Sequence, residues 1–299
     1  MIPGRGYQYV VESPDGKYLA ANDTAFSGVA VINRATQRVE TVTANEVQGI
    51  QRGAFEEEVK EHSQYHGGQV HWARYPVWSS DSRRLAYVTN RGATPGEFLH
   101  DSIWIADLET GREYERLRYD RIPGRGPHVS ITIHAWTKTD QLIFSSGLTL
   151  YAVDGNDEVR ELHRGAARYS VSSDGKYIAA YGVGNLDIVT VDTGAVYAVP
   201  LGPDAENLLP GGWSPTGDLL AYLAYPTVYD AEQADKRQVQ LHLLTMAGEN
   251  GSPALRVVDS PNSGFTFAID YQPVWATSQA LIVMTNDGGT YAFDTGGGK

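Results

Sequence analysis

Short apolar runs broken by tight polar turns fill this chain from end to end, and one of the breaks keeps returning. SPDGKYLAA at Ser13–Ala21 recurs almost verbatim as SSDGKYIAA at Ser172–Ala180. SSDSRRLAY (Ser79–Tyr87) and SPTGDLLAY (Ser214–Tyr222) are looser copies, and TKTDQLIFS (Thr137–Ser145) and ATSQALIVM (Ala276–Met284) are looser still. Trp stands immediately before four of the six, at Trp78, Trp136, Trp213 and Trp275. In each copy an apolar strand runs into the polar break, whose Asp and Gly suit a hairpin turn with positive φ. A second apolar strand follows, then a third that ends in another turn, as in SIWIADLETG and LTLYAVDGND. Most copies add a fourth, such as EYERLR or EVRELH.

Four antiparallel strands in a repeating unit of roughly 40 residues predict propeller blades. The expected fold is all-β, a single six-bladed propeller over 1–299, with four-stranded antiparallel blades near 7–43, 73–119, 131–164, 168–201, 211–259 and 268–295. The last blade stops at AFDTGGGK and is expected to have three strands, unless Met1–Gly6 pairs there. A pair of β-sandwiches is the rival, but a sandwich does not call for the same hairpin at one position six times. Written as (W)S-x-D-G-x-x-[LI]-A-[YF], the repeat resembles that of the TolB-like, WD-related propellers, and the resemblance covers essentially the whole chain. It implies kinship with periplasmic protein-docking propellers, with propeller domains attached to prolyl-oligopeptidase-type peptidases, and with some glycan lyases. It also implies a periplasmic or extracellular location.

Composition narrows the functions. Of 299 residues 41% are hydrophobic and 20% charged, a globular balance, and there is no Cys for a disulfide, thiolate metal site or Cys nucleophile. No stretch approaches the ~20 apolar residues of a membrane span, and the N-terminus as given shows no signal-peptide core. A net charge of −12 argues against nucleic acid or an anionic membrane as the main partner. Serine-nucleophile chemistry lacks its G-x-S-x-G elbow, and no segment is left over for a hydrolase domain.

The turns between first and second strands are short throughout. The long connections fall almost entirely at the opposite strand ends: Ala44–Arg74, Arg91–Ser102, Asp120–Ser130, Gly202–Gly212, Tyr225–Gln238 and Asp259–Ala268. Loops this long inside a compact domain are usually functional or disordered. Ile-Pro-Gly-Arg-Gly occurs at Ile2–Gly6 and again at Ile122–Gly126, both leading into first strands on that side. Arg5 and Arg125 could hold an anionic group there, although a Pro-Gly turn with a solvated Arg is the simpler reading. Glu97, His100 and Asp101 in one loop, with Tyr229 and Asp230 in another, form a candidate acidic and aromatic rim, and His134 on an innermost strand is a candidate lining residue. A short helix is expected over Ala54–Tyr65, which places Glu58, His62 and His66 on one stripe. His62, His66 and His71 are the candidate divalent-metal ligands, against the plainer reading of a solvent-facing helix, and no other cofactor is expected. The function expected is a non-catalytic binding or protein-interaction propeller, monomeric, taking a protein or a small or sugar-like ligand on the long-loop side. The alternative is a metal-assisted carbohydrate-active lyase or hydrolase.

Overall fold

A computed structural model describes residues 7–23, 28–44, 72–90, 100–124, 129–202, 206–227, 239–246, 253–258, 267–268, 272–285 and 287–295. The helix expected over Ala54–Tyr65 lies outside the described residues. Among them the protein is all-β, six antiparallel sheets and one 3-10 turn at Tyr119–Arg121. The first sheet is β1 (Tyr7–Glu12), β2 (Tyr18–Asp23), β3 (Gly28–Asn33) and β4 (Val39–Ala44). The second is β5 (Ala73–Trp78), β6 (Arg84–Thr89), β7 (Ser102–Asp107) and β8 (Arg112–Leu117). The third is β9 (Ile131–Trp136), β10 (Leu142–Ser146), β11 (Thr149–Val153) and β12 (Val159–Arg164). The fourth is β13 (Arg168–Val171), β14 (Tyr177–Tyr181), β15 (Leu186–Thr190) and β16 (Val196–Ala198). The fifth is β17 (Asn207–Trp213), β18 (Leu219–Tyr225), β19 (Gln240–Thr245) and β20 (Ala254–Val258). The sixth has the three expected strands, β21 (Val274–Trp275), β22 (Ala280–Met284) and β23 (Thr290–Asp294). Each sheet is a meander, its strands paired in chain order.

The chain divides into two compact units, Met1–Glu161 and Leu162–Lys299. Within each, consecutive sheets pack face to face, which is why the middles of the second strands are apolar on both sides. On β6, Leu85 and Tyr87 face the first sheet's core while Ala86 and Val88 face the third's. On β18, Leu220, Tyr222 and Ala224 face the fourth sheet, and Ala221 and Leu223 the sixth. A strand buried on both sides reads as one hydrophobic run, not as an alternation.

The recurring turn is held by its own polar atoms. Ser13 Oγ donates to Asp15 Oδ1 at 2.7 Å and accepts from the Tyr18 N–H at 3.0 Å, while Asp15 Oδ1 takes the Lys17 N–H at 3.1 Å. Ser172 and Asp174 repeat this with Tyr177 and Lys176. Ser79 and Asp81 do so with Arg84 and Arg83. Gly16, Gly175 and Gly217 take the positive φ the turn requires, and Ser82 accepts it at 61°. The Ser13 hydroxyl and Lys17 amide hold the Asp15 carboxyl down to about 2.

The tryptophans explain the rest of the motif. Trp78 Nε1–H donates to the Val11 carbonyl at 3.2 Å, Trp213 to Ser170 at 3.0 Å and Trp275 to Gly212 at 2.7 Å. Each acceptor lies two residues before the turn Ser of the preceding sheet, so one bond recurs in register. Trp136 departs from this: its indole donates to Asp140 Oδ1 of its own turn, and Arg84 of the preceding sheet reaches the same oxygen at 2.9 Å with its guanidinium over the indole ring. Trp213→Phe keeps the ring and loses the bond, an expected cost of about 1 kcal/mol. Trp213→Ala also empties the inter-sheet space and should cost about 3–5 kcal/mol. Urea-denaturation midpoints for the two variants check both values.

A candidate binding site at the strand starts of the first unit

Where β5, β7 and β9 begin, the sequence brings together residues from three of its long connections. Asp101, just before β7, is 0% exposed. Its carboxylate accepts the Trp72 indole N–H at 2.7 Å, the Arg74 Nη2 at 2.8 Å and the Ile131 N–H at 2.9 Å, and its own N–H donates to the Val129 carbonyl at 2.8 Å. One side chain thus ties the first strand of the second sheet to the first strand of the third. Burial pushes the Asp101 carboxyl above its ordinary value, against the opposing pull of Arg74 and the three N–H donors. Next to it His100, 8% exposed, accepts the Val129 N–H on Nδ1 at 3.2 Å and stacks on Tyr119 at 4.7 Å. Buried Asn22 does a similar task one sheet earlier. It donates to the carbonyls of Gly28 and Ala73, at 3.2 and 2.6 Å, and accepts the Tyr75 N–H at 3.0 Å.

The first strands themselves are bulged just inside this end. Tyr9 and Val10 together face one partner residue of β2, and Tyr75 and Pro76 face one of β6, where the bulge also admits a Pro that could not join the ladder. Tyr9 and Tyr75 take φ of 50° and 56°, rare for an aromatic residue. Their rings meet edge to face, centroids 5.0 Å apart at 87°, and Arg74 lies over the Tyr75 ring at 5.3 Å. Burial raises the Tyr75 hydroxyl above its ordinary value. In β9 the register slips at His134, whose Nε2 lies 2.9 Å from Ser145 Oγ.

Of the residues singled out from sequence, the structure brings His100 and Asp101 together, as interior groups and not as a solvent-facing rim. It sets His134 separately on β9. Arg5, Glu97, Arg125, Tyr229, Asp230, His62, His66 and His71 lie outside the described residues. Three of the five residues of the second Ile-Pro-Gly-Arg-Gly are described: Ile122 is buried in the core shared by the second and third sheets, and the Pro123 carbonyl accepts the Tyr151 hydroxyl at 2.8 Å. Sequence reasoning passed over Trp72, Arg74 and Asn22. A hint was available in Asn22 and Asn90, polar residues closing apolar second strands, since a buried Asn needs partners. Among the described residues no cluster of three His, Asp or Glu side chains is placed to hold a metal ion, and no helix is long and apolar enough to cross a membrane.

No model of a protein family matches the sequence, and no curated protein matches it either. Solved structures do resemble it. An oligogalacturonate lyase in complex with manganese aligns over 97% of this chain and 78% of its own, at 15% identity and a TM-score of 0.57. The β-propeller domain of Myceliophteria thermophila Cps50 (Swd1) aligns over 100% of this chain and 86% of its own, at 14% identity and 0.51. A TolB from Acinetobacter baumannii aligns over 100% and 66%, at 14% identity and 0.46, too loose a likeness to argue from. At such identities the likeness is of fold alone. The fold is that of a β-propeller.

Two tests follow from the buried polar groups. Asp101→Ala removes the buried carboxylate from the partly buried Arg74 guanidinium, and the expected loss is about 3 kcal/mol, read as a lowered denaturation midpoint. His134, and His242 on β19, are each held down to about 4 by burial, with His242 Nδ1 3.1 Å from the Tyr222 hydroxyl. The unfolded chain takes up these protons near 6.5 and the folded chain only near 4. Stability is therefore full above about 6.5 and falls as pH drops from there toward 4. Between pH 7 and 5 each His should contribute a loss on the order of 1–2 kcal/mol, and His134→Gln or His242→Gln should flatten the profile.

Proposed function

We propose that this chain is a non-catalytic binding propeller that takes a protein partner at the long-connection end of its first three sheets. The observation that carries the reading is how the described polar groups there are spent. Asp101 is fully enclosed by Trp72, Arg74 and Ile131, His100 by Val129 and Tyr119, and His134 is held neutral beside Ser145. These groups build and stiffen the strand starts from which segments 45–71, 91–99 and 125–128 depart. General acid–base chemistry needs a group within reach of substrate, whereas the Asp101 carboxylate and His100 Nδ1 are taken up by the scaffold and burial holds His134 below its ordinary value. Binding on loops carried by a rigid scaffold needs what they supply. In this reading Arg5, Glu97 and Arg125 are the partner contacts, Arg being among the residues that most often anchor interfaces.

A second reading is favoured by one observation, the likeness to an oligogalacturonate lyase in complex with manganese. There the chain would be a metal-assisted carbohydrate-active enzyme with His62, His66 and His71 as ligands.

Affinity capture from native extract separates the two. Arg125→Ala and Glu97→Ala should each weaken capture of the partner by at least tenfold, while Asp15→Ala and Asp174→Ala, at the opposite strand ends, should leave it intact. Loss with the turn variants alone would place the interface at the wrong end. Stoichiometric metal in protein purified without chelator, lost on His62→Ala or His66→Ala, would move the assignment to the enzyme.

A further inference from the structure

We infer that the Tyr9–Tyr75 corner is a binding site for an organic cation, an alkylammonium or guanidinium group. Only its location rests on the binding reading above.

The argument begins with strain that the fold does not ask for. Tyr9 lies four residues before the turn Ser13, and Tyr75 four before Ser79, so the two hold the same position in successive sheets. Both adopt positive φ, a conformation that costs a non-glycine residue of order 1–3 kcal/mol. Ile133, Arg168 and Pro210 occupy that position in the third, fourth and fifth sheets with ordinary φ. A sheet of this kind therefore forms without the strained residue. Strain kept at two adjacent sheets, both times on a Tyr, and both times at a bulge that re-aims the side chain, points to a task for the rings.

What the rings offer is an electron-rich corner. They stand at 87° to one another with centroids 5.0 Å apart, so the faces of two aromatic quadrupoles border one angle. The face of Tyr75 already carries a cation, Arg74 at 5.3 Å, and that charge is neutralised by Asp101 at 2.8 Å. Tyr9 is 52% exposed and its chain neighbour Val10 51%. An ammonium or guanidinium on an alkyl stem matches that pair, charge over the ring and stem along Val10.

The net charge agrees. The chain carries a net −12. A field of that sign concentrates cations and repels anionic ligands.

The cation could be a free amine or the Lys or Arg side chain of a partner, and one titration separates these sources. The full chain, labelled with ¹³C in its Tyr rings, is titrated at constant ionic strength with tetramethylammonium chloride, with N-acetyl-lysine amide, and with tert-butanol as a neutral counterpart of similar shape. We expect saturable shifts of the Tyr9 and Tyr75 ring resonances with tetramethylammonium and none at those resonances with tert-butanol. Response to N-acetyl-lysine amide as well assigns a side-chain source, and response to tetramethylammonium alone assigns a free amine. Tyr9→Leu should weaken binding about fivefold, the equivalent of roughly 1 kcal/mol for a partly exposed cation–π contact, while Tyr9→Phe should retain it. Because Tyr9 is half exposed, both variants should fold, and their thermal melts verify it. Equal shifts with tert-butanol, no shift with either cation, or an unchanged titration in Tyr9→Leu would each overturn the site. Capture that depends on Arg125 and Glu97 is read separately, so either conclusion can fail without the other.

Discussion

Everything in this fold depends on joining one twisted sheet to the next without leaving a polar edge dry, and the indole N–H of a single Trp makes the recurring joint. Trp78, Trp213 and Trp275 each reach the carbonyl of the preceding sheet's first strand, two residues before its turn. That carbonyl faces the neighbouring sheet, where water is scarce and an unmet acceptor is costly. The same side chain fills the wedge between the sheets with its ring. At the second-to-third junction the joint is built differently, from Arg84, Asp140 and Trp136, so one residue pair is not obligatory.

The tryptophans also mark a longer period. The first sheet of each unit has no Trp before its turn, carrying Glu12 and Val171 instead, and the second and third sheets of each carry one. The closest pair of turn motifs, Ser13–Ala21 and Ser172–Ala180, opens the two units. The same order of Trp-less and Trp-bearing turns is thus written twice, although the joint between second and third sheets differs in the two units.

The strand ends opposite the turns are fastened by buried polar side chains of the chain's own connections. Asn22 and Asp101 each gather groups from two consecutive sheets. An enclosed carboxylate is worth little as a stabiliser in itself, but once buried it fixes geometry, because any other arrangement leaves Arg74 or the carboxylate unpaired. Long connections are thus held where they leave the strands. In such surroundings the strained tyrosines of β1 and β5 can be maintained.

The sequence determined most of the fold by itself. The turn motif declared six hairpins, because Ser, Asp and Gly there satisfy the turn from within four or five residues, and local bonds are legible in a local pattern. The partners of the tryptophans were not legible, since the acceptors are backbone carbonyls in another sheet and any residue supplies one. Nor could the sequence show that His100 and Asp101 turn inward. An acidic, aromatic loop reads as a solvent-facing rim until Trp72, Arg74 and Ile131, far apart in the chain, close around the carboxylate. Positive φ at Tyr9 and Tyr75 was likewise beyond reach, because no local rule places a tyrosine there. Only packing of one sheet against the next decides where a bulge falls and which way its side chain is aimed.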